Sequence, residues 1–150
     1  MQSFLTRECD YAIRITAYLA GLKSKSQMSV SEISKKMHVS RSYAARIIHV
    51  LKTGGLLKTT QGLYGGVSLA RKAEEISFYD IMRIMKFQAV LNDCLGDKDV
   101  CSFPAICKVH SFLAQQERKL IDEFKKAKIS DYVFDENSID QINCAHNVTQ

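Results

Sequence analysis

Ser40-Arg41-Ser42-Tyr43-Ala44-Ala45-Arg46-Ile47-Ile48-His49-Val50-Leu51-Lys52-Thr53, closed by Gly54-Gly55, is the stretch on which the fold turns. At about 100° per residue, Ala44, Ile47, Ile48 and Leu51 gather on one face of a helix. Ser42, Arg46 and His49 lie on the opposite face, with Arg41 and Tyr43 at its margins. Ser40 can cap the first turn by accepting a backbone N–H, and the glycine pair ends the helix. Just upstream, Ser29 and Glu32 have the spacing of a capping box, opening a short helix with Ile33 and Met37 inward before His38-Val39 breaks it. A short helix, a tight turn and a second helix with a polar outer face imply a helix-turn-helix, whose second helix enters the major groove of DNA.

The residues that follow extend that reading. Residues 56–60 (Leu56, Leu57, Lys58, Thr59, Thr60) read as a strand, and Gln61-Gly62-Leu63-Tyr64-Gly65-Gly66 as a glycine-rich turn. Val67-Ser68-Leu69 alternates back as a second strand, with Arg71 and Lys72 beyond it. Helix-turn-helix plus hairpin is a winged helix. Lys58, Arg71 and Lys72 are placed to meet phosphates, which supply affinity without sequence preference. A nucleotide cradle is excluded, because the turn lacks the lysine and Ser/Thr of a Walker loop and opens no helix. Upstream, Tyr11, Ile15, Tyr18, Leu19 and Leu22 recur at helical spacing and predict a helix over residues 6–22.

Composition sets the class. The chain has 150 residues, 46% hydrophobic and 25% charged, and a formal charge of +5, compatible with a nucleic-acid partner. No apolar run approaches the roughly 20 residues of a membrane span, and charges interrupt the N-terminal stretch where a signal peptide needs an apolar core. A cytoplasmic protein without a membrane partner is expected. No catalytic constellation of the Ser-His-Asp or paired-carboxylate kind stands out, so an enzyme is not expected.

The second half predicts two helices. Residues 76–85 carry Phe78, Ile81, Met82, Ile84 and Met85 at packing intervals. Residues 103–128 read as one long helix with Pro104 in its first turn, and an apolar stripe of Ile106, Val109, Leu113, Leu120, Ile121 and Phe124. Such a helix would run roughly 35–40 Å at 1.5 Å per residue. So long a stripe needs a cover, and a two-fold partner copy is the natural one, matching palindromic DNA. The expected fold is mainly α with a small β-hairpin wing. Its organisation is a DNA-binding domain over 1–75, a cysteine loop and dimerisation helix over 76–134, and a polar tail over 135–150.

Cys94, Cys101 and Cys107 fall within fourteen residues between those two helices. Three thiolates so close can hold a metal or a cluster. The chain has five cysteines, and an odd set in a reducing compartment argues against a disulfide framework. His110 follows Cys107 by one helical turn, so both can point at one metal. Cys9 and Cys144 read as incidental. Thiol switching without a metal is the alternative chemistry for the trio.

Taken together, these residues resemble the Rrf2 family of bacterial transcription regulators. The carriers are Asp10-Tyr11-Ala12-Ile13-Arg14, the Ser40-Arg41-Ser42-Tyr43 opening, Gly54-Gly55-Leu56, the wing Gly62-Leu63-Tyr64-Gly65-Gly66 with Leu69, and the cysteine trio. The resemblance spans roughly residues 4–133. It implies a winged-helix homodimer on a double-stranded operator, with an iron–sulfur cluster, [2Fe-2S] or [4Fe-4S], controlling DNA affinity. By resemblance Cys94, Cys101 and Cys107 would be cluster ligands, with the fourth from His110 or from Asp10 and its neighbours Glu8 and Cys9. Ser40, Arg41, Ser42, Tyr43, Arg46 and His49 would face the operator, with Lys58, Gln61, Gly62 and Gly65 on the wing, whose tip enters the minor groove. Two departures are visible: the first cysteine gap holds six residues, one more than the family pattern, and Gln61 stands where an arginine is common. Some members of the family respond to a partner protein instead of a cluster.

Overall fold

The computed structural model describes residues 4–22, 27–62, 65–88, 90–97, 100, 103 and 106–134. Six helices are present among them: α1 (Arg7–Gly21), α2 (Val30–Lys36), α3 (Arg41–Thr53), α4 (Phe78–Ile84), the single turn α5 (Asp93–Gly96) and α6 (Lys108–Lys126). Two strands, β1 (Leu57–Thr60) and β2 (Gly66–Leu69), form an antiparallel hairpin in which Leu57 faces Leu69 and Thr60 faces Gly66. Met28 pairs with Val67 on the other side of β2, exchanging both backbone bonds at 3.1 and 2.8 Å, so the wing is fastened to the start of α2.

The caps follow the sequence. Thr6 Oγ1 accepts from Cys9 N, Ser29 and Glu32 close a full capping box, and Ser40 Oγ accepts from Tyr43 N. Hydrogen bonds from Ser29 hold the Glu32 carboxyl below its usual range. The end of α3 is equally determined. Gly55 takes a φ of +75°, its N–H donates to the Lys52 carbonyl, and Leu56 N–H reaches back to Leu51 at 3.0 Å. This is a Schellman motif, which a Cβ-bearing residue enters with strain. It folds Leu56 onto Leu51, and both are fully buried.

The core joins Ile15 and Tyr18 of α1, Ile33 of α2, Ile47, Ile48 and Leu51 of α3, Leu57 and Val67 of the wing, and Ile76 and Ile81 around α4. Every residue assigned inward on α3 from its periodicity is buried, and Ser42, Arg46 and His49 are exposed.

The second half departs from the periodic pattern at its helix ends. The helix expected over residues 76–85 begins at Phe78, because Ser77 caps it in a second capping box with Asp80. Ile76 remains extended, and its carbonyl receives Ile129 N–H at 2.9 Å. The helix expected over residues 103–128 spans Lys108–Lys126, 19 residues or about 28 Å rather than 35–40 Å. At its start, Ile106 and Cys107 N–H both donate to the Phe103 carbonyl in a turn, and Cys107 is the N-cap. Pro104, expected in the first turn, lies outside the described residues. At its end, Ala127 and Lys128 are drawn out of helical conformation by pairing with Ser77 and Phe78.

That return fixes one end of α6 to the core shared by α1, α2, α3 and the wing. Ile129 is completely buried, which is worth about 1.5–3 kcal/mol, and Tyr18 packs on Phe134 with ring centroids 6.0 Å apart. The other end, where α5 packs on one side, leaves an apolar face open. None of α6 is fully buried, and Val109 and Phe112 are 64% and 59% exposed. Ile129 and Phe134 thus pack with the same core as α1, α3 and the wing. The tail expected over 135–150 lies outside the described residues.

Candidate functional site

Two groups of residues carry chemistry. The first is the outer face of α3 with the wing beside it. Ser40, Arg41, Ser42, Arg46 and His49 are exposed along one side of the helix. Ser40 is also committed to structure, since its Oγ caps Tyr43 N at 3.2 Å and lies 3.2 Å from Ser42 Oγ. Tyr43 is half-buried, its ring edge-on to Tyr11 at 5.8 Å. Burial and the carboxylate of Glu8 push the Tyr43 hydroxyl above its ordinary range, partly offset by Arg7 and Arg46. The Arg46 guanidinium lies 5.4 Å from the centre of that ring and pairs with Glu8 of α1. On the wing, Lys58, Gln61 and Gly62 are exposed, and Arg71 and Lys72 follow β2, also exposed. A side chain at Gly65 would collide with the Thr60 carbonyl, so the tight tip requires glycine there.

The second group is the cysteine loop. Cys94 sits partly buried on α5, which packs on α6. Cys107 is the N-cap of α6, its Sγ accepting His110 N–H at 3.3 Å. One turn on, His110 Nδ1 is buried and has no hydrogen-bond partner among the described residues. Cys101 lies outside the described residues, so the trio is not seen assembled. Among the described residues no three His, Cys, Asp or Glu side chains are grouped to hold a metal. The donor set nevertheless fits thiolate-and-imidazole chemistry: two free thiols, a helix N-terminus suited to an anionic ligand, and an orphaned imidazole nitrogen beside it.

The α1 candidates are engaged elsewhere. Asp10 Oδ1 accepts from Arg14 Nε at 3.0 Å, and Glu8 pairs with Arg46. Cys9 is fully buried, and burial together with Asp10 pushes its thiol up to about 11. The Glu8–Arg46 pair joins residues far apart in the chain, so no local spacing announces it.

Comparison with known proteins matches this architecture. The sequence profile of the Rrf2 family, described as iron-dependent transcriptional regulators, matches residues 5–135. Among solved structures, CymR (YrzC), the global cysteine regulator of B. subtilis, superposes with a TM-score of 0.72 at 20% identity, covering 89% of this chain and all of that one. IscR of T. potens gives 0.67 at 19% identity, covering 97% of this chain and 90% of its own. CymR of Staphylococcus aureus gives 0.65 at 21%, covering 83% and 93%. At these identities the likeness of structure speaks for the fold, a winged helix. The profile match covers nearly all of the described chain, and the family acts in transcription, not catalysis. By the extent of that match, this chain belongs to the Rrf2 family of DNA-binding transcriptional regulators.

Proposed function

We propose that the protein is a homodimeric regulator whose operator affinity is set by an iron–sulfur cluster held by Cys94, Cys101 and Cys107. His110 is the fourth ligand in this reading. The observation that carries it is the buried Nδ1 of His110, without a partner among the described residues and one helical turn on from Cys107. A buried imidazole nitrogen without a partner is costly, by about 1–3 kcal/mol, and metal ligation would relieve it. Asp10, the other candidate, already has Arg14. When bound, the cluster supplies a redox- and nitric-oxide-sensitive centre whose loss frees three thiols.

What the chain's own residues do follows from the ends of α6. Its N-terminus carries Cys107 and His110, its C-terminus is hydrogen-bonded to Ile76 and Phe78 at the start of α4, and Ile129 just beyond is buried in the core shared with α1, α3 and the wing. A change in how the loop seats the helix is thereby transmitted to α1, α3 and the wing. In a dimer formed along α6, it would alter the distance between two recognition helices. Ser42, Arg46 and His49 read base edges, and Lys58, Arg71 and Lys72 hold phosphates.

The test is anaerobic purification with native mass spectrometry and an absorbance spectrum, followed by titration with DNA enriched from a random pool. One [2Fe-2S] unit per protomer and cluster-dependent DNA affinity are expected. A metal-free dimer that cannot be reconstituted overturns the cluster.

A second reading keeps the DNA interface and uses the cysteines as thiol switches. It is favoured by two free, partly exposed thiols at Cys94 and Cys107, and a similar structure, S. aureus CymR, is known in an oxidised form. Stoichiometric iron and sulfide would exclude it.

A further inference from the structure

The outer face of α3 carries no acid of its own, yet a carboxylate is delivered to it from another helix. Glu8, in the first turn of α1, pairs with Arg46 across the crossing of the two helices. The guanidinium is then held from two sides, by the carboxylate and by the Tyr43 ring at 5.4 Å, while Tyr11 fixes that ring edge-on at 5.8 Å. Glu8 also lines an open cleft between the starts of α1 and α3, with Arg7, His38 and Ser40 around it. An acid in that position is a liability for generic DNA binding, since it neutralises one cation of the reading face and meets the phosphate backbone with like charge.

We infer that Glu8 is a specificity-determining residue: with the Tyr43 ring it holds the Arg46 guanidinium in one orientation, from which a base edge is reached with the pair kept but a phosphate only by breaking it. The inference rests on α3 being the operator-reading helix. Both partners are about half exposed, 61% for Arg46 and 46% for Glu8. An exposed pair of this kind is weak, so breaking it for a phosphate contact costs a modest amount, whereas a base-edge contact made with the pair kept does not bear that cost. Glu8 thus subtracts more from non-specific binding than from specific binding, which raises discrimination at the expense of raw affinity.

The experiment uses the full chain and two probes: a mixed-sequence 30-base-pair duplex and the duplex enriched by the wild-type protein from a random pool. Anisotropy titrations over a salt series compare wild type, E8Q, R46Q and the double variant. E8Q is expected to tighten mixed-sequence binding by about three- to five-fold, with a salt slope steeper by about one, and to change the enriched duplex less than about two-fold. In the R46Q background the E8Q change should vanish. Equal tightening on both duplexes, persisting without Arg46, would reduce Glu8 to general repulsion and overturn the inference. No effect of E8Q where R46Q weakens the enriched duplex also overturns it, leaving the DNA interface intact. If R46Q binds both duplexes as wild type does, the assignment of α3 as the reading helix fails first, and this inference with it.

Discussion

Cys107 and His110 are joined by an amide-to-sulfur hydrogen bond of 3.3 Å, so the thiol that caps α6 precedes by one turn a histidine whose buried Nδ1 has no hydrogen-bond partner among the described residues. The two residues therefore have separable roles. Cys107→Ser keeps a capping atom while removing the thiolate, and Cys107→Ala removes both. The alanine variant should lose about 0.5–1 kcal/mol of stability relative to serine by chemical denaturation, with both lacking colour after anaerobic purification. His110→Ala should retain iron but shift the absorbance spectrum. A serine variant that still binds a full cluster would remove Cys107 from the ligand set.

Cys9 provides an internal reference for thiol chemistry. It is fully buried, and its thiol is raised to about 11, so the nucleophilic thiolate is scarce at neutral pH. In cluster-free native protein at pH 8, Cys94 and Cys107 should alkylate first and Cys9 only on unfolding, as read by peptide mass mapping. Labelling of Cys9 at the rate of Cys107 would contradict the packing of α1.

The Ser77–Asp80 capping box predicts a pH dependence. Burial works against the Asp80 carboxylate, but hydrogen bonds from Ser77 Oγ and N at 2.6 and 2.9 Å, with Lys128 and Arg83 nearby, outweigh it and lower its range. A carboxyl lowered in the folded state contributes stability that is present above its unfolded range and lost as pH falls through the folded one. Asp80→Asn should cost about 1 kcal/mol at pH 7 and flatten the decline in stability on the acid side of pH 4. An acid limb that is as steep in the variant would show that other carboxylates dominate it.

Those caps also show what the sequence carries and what it withholds. Ser29, Ser40 and Gly55 act on neighbours within a few residues, so the helix-turn-helix and its limits are legible from spacing alone. The inward set on α3 is legible for the same reason. The end of α6 is not, because Ala127 and Lys128 leave the helix to pair with Ser77 and Phe78, some fifty residues earlier, and apolar periodicity does not see strand-like pairing at such range. Its start was overextended because Phe103 and Ile106 continue the apolar rhythm while their backbone turns. The Ser77–Asp80 box was readable in principle, but its acid is aspartate, one carbon shorter than the usual Glu or Gln. The Glu8–Arg46 pair depends on how two helices cross, a tertiary fact with no local signature.

The exposed apolar face at the start of α6 makes the most consequential prediction. Val109 and Phe112 are 64% and 59% exposed on successive turns of a helix whose other end is anchored by Ile129. Leu113, Leu120, Ile121 and Phe124 are only partly covered. In a two-fold dimer each substitution occurs twice, and each covered phenylalanine contributes about 1.5–3 kcal/mol. Phe112→Asp should therefore weaken dimerisation by at least about a hundred-fold, giving a monomer by analytical ultracentrifugation at micromolar concentration. Because Phe112 lies outside the core, the helical circular dichroism of the monomer should match wild type. Its affinity for a two-half-site duplex should collapse toward that for a single half-site, whereas Phe112→Leu should preserve both dimer and binding. A Phe112→Asp protein that remains dimeric and binds both half-sites would place the two-fold interface elsewhere, and with it the route from the cysteine loop to the recognition helices.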